Sequence, residues 1–131
     1  YLEGLYMKYL AEFNCSDIFK YPLSSSHKHN NDIGCFYAIK NISNNKIYIG
    51  QTKSFYNRMR SHIYNSRRNK GILIDKNMYN NIDDFRFYIL ITFKEKNINF
   101  FTRKNITIIE QYLIKEYNSK HPYGYNERIY T

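Results

Sequence analysis

The sequence predicts an α+β domain, a mixed α/β arrangement in which a small three-stranded antiparallel sheet is flanked by helices. Three observations carry this expectation. Two short β-like runs, Cys35 to Lys40 and Lys46 to Thr52, flank Asn44-Asn45, and asparagine can take the positive φ angles of a tight hairpin turn. A third run, Phe85 to Phe93, alternates and is rich in aromatic and β-branched residues, as strands are. Around these runs, apolar residues recur every three or four positions, the spacing of an amphipathic helix.

In chain order, Leu2, Leu5, Tyr6, Tyr9, Leu10 and Phe13 predict a helix over residues 1 to 20, closed by Tyr21-Pro22-Leu23. The polar stretch Ser24 to Asn31 reads as a connector, so His27 and His29 are loop residues rather than metal ligands. The chain therefore divides into an N-terminal helix with its connector, 1–32, and a main domain, 33–131. In the hairpin, a two-residue turn at Asn44-Asn45 sets Tyr48 opposite Asn41. Side chains alternate along each strand, so Tyr37, Ile39, Asn41, Tyr48 and Gly50 share one face.

Ser54 follows as an N-cap, and Phe55, Met59 and Ile63 form the apolar stripe of a helix running to about residue 68. Arg58 and His62 lie four apart on that helix, stacked beside the stripe. Residues 71 to 83 hold a short helix, Lys94 to Asn99 a polar loop, and residues 106 to 117 a final helix. Glu110 falls inside that helix's apolar stripe, between Ile106 and Leu113. A carboxylate on a core-facing side is costly unless it is paired, hydrogen-bonded or bound to a cation. Two readings follow: Glu110 is a metal ligand, or it closes a capping box with Thr107. If the helix begins at Thr102 or Asn105, the box is excluded.

Composition narrows the partners. The formal net charge is +9, from 20 Lys and Arg against 11 Asp and Glu, which suits a polyanion such as nucleic acid. No run approaches the ~20 apolar residues of a membrane-spanning helix. The two cysteines, Cys15 and Cys35, form no disulfide framework, which points to a reducing, intracellular compartment. The bias towards Ile, Asn, Lys and Tyr is that of an A/T-rich genome, a virus or a mobile intron.

Read together, Cys35-Phe36-Tyr37, Tyr48-Ile49-Gly50, Arg58, His62, Glu110 and Gly124-Tyr125-Asn126 resemble, in order and spacing, the GIY-YIG nuclease family over roughly residues 33 to 126. One departure is visible: Cys35 stands where the family's first Gly is expected, or else Gly34 serves with a one-residue slip. The resemblance implies a metal-dependent DNA endonuclease of homing or restriction type; the alternatives are a silent nucleic-acid-binding module and a structure-specific repair nuclease. It further implies that one of Tyr37 and Tyr48 handles the attacking water, that Arg58 holds the scissile phosphate, and that His62 bonds a phenol or the phosphate. Glu110 would bind the ion and Asn126 would brace the site. A hard ion, Mg²⁺ or Mn²⁺, keeps most of its waters, so one carboxylate suffices. Lys46, Lys53, Arg60, Arg67 and Arg68 would contact the DNA backbone. A single site cuts one strand at a time, so a double-strand break needs a homodimer or successive nicking by a monomer.

Overall fold

The computed structural model describes residues 7–20, 33–93 and 102–127. In chain order these form β1 (Ala11–Phe13), α1 (Cys15–Lys20), β2 (Cys35–Asn41), β3 (Ile47–Thr52), α2 (Phe55–Arg67), α3 (Leu73–Met78), β4 (Phe85–Thr92) and α4 (Arg103–Glu116). The connector and the loop at 94–99 lie outside the described residues. No helix among the described residues is long and apolar enough to cross a membrane, and both cysteines are free thiols.

The sheet has four antiparallel strands in the order β1-β4-β2-β3, one more than the sequence predicted. The extra strand comes from the segment read as helix. Ala11 pairs with Ile89 and Phe13 with Phe87, so this segment takes the backbone groups that the outer side of β4 would otherwise leave unpaired. Phe13 then stacks against Phe55 and Tyr56, with ring centroids 5.4 and 5.7 Å away. The helix begins only at Cys15, because Asn14 and Asp17 cap it reciprocally: Asn14 Oδ1 accepts from the Asp17 amide at 2.9 Å and Asp17 Oδ2 from the Asn14 amide at 3.0 Å.

The hairpin differs from expectation in its turn. Tyr37 pairs with Gly50 and Ile39 with Tyr48, a register shifted by two residues, since residues 42–45 form the loop and Asn45 takes the positive φ of 65°. The Asn41 carbonyl accepts from the Asn45 amide at 2.7 Å and closes the turn. An even shift leaves every side chain on its predicted face.

Alternation along the strands sorts the core into two layers. Cys35, Tyr37, Ile39, Phe85, Phe87 and Ile89 point to one face, where they meet Ile18 of α1, Phe55, Met59 and Ile63 of α2, and Ile74 and Met78 of α3. Phe36, Ala38, Ile47, Ile49, Tyr88 and Leu90 point to the other, against Leu113 and Ile114 of α4. Cys35 is fully buried on the first face, so the departure at the family's first Gly is absorbed as a small core residue. Ser54 occupies the N-cap position of α2, but its side chain makes no capping hydrogen bond.

Phe87 is fully buried at the centre of the first layer. Phe87→Ala should therefore lower stability by about 3–5 kcal/mol in urea denaturation. The exposed Ile108→Ala should stay within about 0.5 kcal/mol of the parent.

Candidate active site

The two layers meet at the open edge of β3. There a cleft of about 930 Å³ is lined by Tyr37, Tyr48, Gly50, Arg58, Arg103, Glu110 and Gln111, among others. The cleft therefore draws on both faces of the sheet. The phenols and Arg58 come from one layer, whereas Glu110 reaches the cleft from α4 on the opposite side. This works because β3 is the last strand, so its rim is accessible from both faces.

Gly50 sets the position of Tyr37. A Cβ at residue 50 would lie 2.5 Å from Tyr37 Cζ, so only glycine lets the phenol lie flat across the neighbouring strand. Tyr37 is thereby wholly buried, 1 % exposed, with its hydroxyl 2.9 Å from His62 Nε2. Arg58 and Tyr48 lie near enough to act on its charge, the Tyr48 ring centroid 6.1 Å from that of Tyr37. Burial pushes the Tyr37 phenol well above its ordinary value of 10.0, with the neighbouring Arg58 pulling the other way. Tyr48 is partly exposed; burial raises its phenol too, Arg58 opposes, and the nearby Glu110 adds to the rise.

His62 lies between Tyr37 and a residue the sequence reading missed, Asp75 of α3. Asp75 Oδ1 is 2.5 Å from His62 Nδ1, and both side chains are buried. Burial pushes the imidazole below its ordinary 6.5, Asp75 pulls it back up, and Arg58 adds to the fall. The available signal for Asp75 was an acid directly after the apolar run Ile72-Leu73-Ile74 and three before Met78, weaker than the one that exposed Glu110.

For Glu110 the capping reading fails. Thr102 is the N-cap of α4, its hydroxyl accepting from the Asn105 amide at 3.2 Å, so Thr107 sits inside the helix. The Glu110 carboxyl is raised above its ordinary value of 4.5 by burial, as befits an acid facing the cleft without a compensating cation.

Asn126 braces β3 rather than facing outward. Its Oδ1 accepts from the Ile49 amide at 2.8 Å and from Ser119 Oγ at 2.7 Å, while its Nδ2 donates to the Ile49 carbonyl at 2.9 Å. The Tyr125 amide donates to the Ile47 carbonyl at 3.0 Å. The C-terminal turn thus pairs the outer backbone groups of the edge strand. Of the expected backbone contacts, none lines the cleft. Arg60 and Arg67 lie over the Phe19 ring at 5.2 and 5.1 Å and tie α1 to α2, and Arg68 lies over Tyr64 at 5.1 Å. Lys46 and Lys53 flank β3. Arg103, which the sequence reading did not single out, does line the cleft.

Residues 33–126 match the family model of the GIY-YIG catalytic domain. The chain belongs to the GIY-YIG family. Two solved structures of one enzyme are similar to it. One is a mutant of the catalytic domain of intron endonuclease I-TevI, 28 % identical, with a TM-score of 0.62, covering 76 % of this chain and 97 % of that one. The other is the catalytic domain of homing endonuclease I-TevI, 28 % identical, with a TM-score of 0.61, covering 72 % and 98 %. Comparison with curated proteins gives no match. The GIY-YIG chain is accordingly an endonuclease, and its α+β sheet is that of the family.

Gly50→Ala must move the Tyr37 ring. It should cut activity by about 100-fold or more while the far-ultraviolet spectrum stays that of the parent. The depressed imidazole of His62 has a signed consequence. The unfolded chain, with an ordinary value of 6.5, binds the proton more readily, so stability is full above that value and falls as the pH drops towards the folded value. Denaturation midpoints measured from pH about 7 down to about 5 should fall less steeply for His62→Gln than for the parent.

Proposed function

We propose that this GIY-YIG endonuclease hydrolyses DNA phosphodiesters with the help of one divalent cation, and that it is of the homing type. The observation that carries the reading is the convergence of Tyr37, Tyr48, Arg58 and Glu110 on a single cleft. The catalytic unit is residues 33–131, with β1 completing its sheet.

The donor set suits a hard cation. Glu110 is a partly buried carboxylate whose burial is uncompensated, and groups of three or more acidic, His or Cys ligands are absent among the described residues. One carboxylate with retained waters is a common arrangement for Mg²⁺, and Mn²⁺ can replace it. Bound at Glu110, the ion would supply positive charge at the non-bridging phosphate oxygens and at the leaving oxygen.

The chain's own residues account for the rest. Arg58 presents to the cleft a guanidinium that matches a phosphate in charge and geometry. Tyr48 is the phenol nearest solvent, so it takes the proton from the attacking water. Tyr37, wholly buried behind it, orients Tyr48. Arg103, at the first turn of α4 and within the cleft, meets the phosphate adjoining the scissile one, with Lys46 and Lys53 extending the cationic track beside β3. I-TevI is a homing endonuclease by description, which favours that type here.

Supercoiled plasmid incubated with the protein and Mg²⁺ should be nicked, and EDTA should stop the reaction. Glu110→Ala and Arg58→Ala should each slow nicking by about 100-fold or more. Nicking that persists in Glu110→Ala removes the one-metal reading; tight binding without any cutting replaces the nuclease with a silent binding module.

A further inference from the structure

Three fully buried polar side chains lie in a row behind the cleft: Tyr37, His62 and Asp75 are 1 %, 1 % and 2 % exposed. Tyr37 Oη lies 2.9 Å from His62 Nε2, and His62 Nδ1 lies 2.5 Å from Asp75 Oδ1. We propose that Asp75 is a positioning residue for the reaction: by accepting the Nδ1 proton it leaves Nε2 bare, so that the line Tyr48–Tyr37–His62 carries a proton away from the cleft. This deepens the nuclease reading and rests on it.

The polarity follows from donor counting. A carboxylate only accepts, so the ring nitrogen facing Asp75 carries the hydrogen. Neutral imidazole then has a bare Nε2, and the only hydrogen that can lie between it and Tyr37 is the phenol's own. Tyr37 Oη, having given its proton to that bond, keeps its lone pairs free towards the cleft that Arg58 and Tyr48 also line, the Tyr48 ring centroid 6.1 Å from its own. Asp75 is itself held in place. Its Oδ2 accepts from the Ile72 amide at 3.1 Å, and a Cβ on Gly71 would fall on that carboxylate.

The line balances through one turnover. As the water oxygen forms its bond to phosphorus, its proton passes to Tyr48 Oη, the Tyr48 proton to Tyr37, and the Tyr37 proton to His62 Nε2. The leaving oxygen departs with the electron pair of the broken P–O bond and is protonated by solvent. The imidazolium formed beside the Asp75 carboxylate returns its proton along the same path to the cleft, where solvent takes it up in place of the one given to the leaving oxygen. His62 is at rest the neutral acceptor this requires, because burial disfavours its charged form.

Asp75→Asn separates polarity from packing. Its single oxygen can serve the Ile72 amide or His62 Nδ1, and with oxygen on Ile72 the amide nitrogen faces the ring. The ring hydrogen then moves to Nε2 and points at Tyr37, reversing the line. The logic is that of the buried carboxylate in serine-protease triads, where the same exchange yields the wrong tautomer.

The test is nitrogen-15 NMR of the histidine-labelled full chain at about pH 8, with His62→Gln assigning the resonance among the 4 histidines. The parent should show His62 protonated at Nδ1 only, and Tyr37→Phe should keep that state, since Asp75 rather than the phenol sets it. Asp75→Asn should shift the proton towards Nε2 and slow single-turnover nicking by about 100-fold or more, with DNA affinity unchanged. A parent His62 protonated at Nε2 overturns the proposal, as does an Asp75→Asn protein that nicks at the parent rate. If Asp75→Asn does not fold, the parent and Tyr37→Phe spectra decide. A parent that nicks no DNA refutes the nuclease reading, while the spectra still judge the tautomer.

Discussion

The site depends on burying a phenol without stranding its hydroxyl. Tyr37 lies flat on Gly50 with its ring in the core and its oxygen against His62. A buried hydroxyl with no partner costs roughly 1–3 kcal/mol, so every neighbour of that oxygen is drawn into a fixed arrangement. His62 answers Tyr37, Asp75 answers His62, and the Ile72 amide answers Asp75. The short helix α3 is thereby locked to α2 by the Asp75–His62 bond as well as by Ile74 and Met78. Precision at the cleft comes from this inward chain of obligations.

A second constraint is the edge position of β3. An interior strand would have helices on both faces and neighbours on both sides, and a carboxylate from one layer could never meet phenols from the other. At the rim it can. The same openness leaves backbone amides and carbonyls unpaired, and the turn at Tyr125 and Asn126 supplies what a fifth strand would have supplied. Asn126, itself at the cleft, thus also fixes the strand that carries Tyr48 and Gly50.

Much of this was legible in the residues. Face assignments along the hairpin survived a turn of the wrong length, because a shift of two preserves the alternation of side chains. Glu110 stood out because an acid in an apolar stripe demands a reason, and the start of α4 at Arg103 removed the competing one. What stayed hidden was long-range. The helical spacing of Tyr9, Leu10 and Phe13 is genuine, yet the free side of β4 recruits that segment as a strand, and no local pattern reports a vacancy elsewhere in the sheet. Asp75 was missed for a related reason: its partner is on another helix, and its own helix has only 6 residues. Charge counting gave no positions: Arg60 and Arg67 lie over Phe19, while Arg103, which no local pattern singled out, lines the cleft.

The closure of β3 by Asn126 has a bearing on architecture. Edge strands are the commonest place for two copies of a fold to join, by running one sheet into the next. Here the rim groups of Ile47 and Ile49 are already taken by Tyr125 and Asn126, beside the reactive cleft. Any second sheet joining at that stretch of rim would first have to displace the turn that holds the strand of Tyr48 and Gly50 in place.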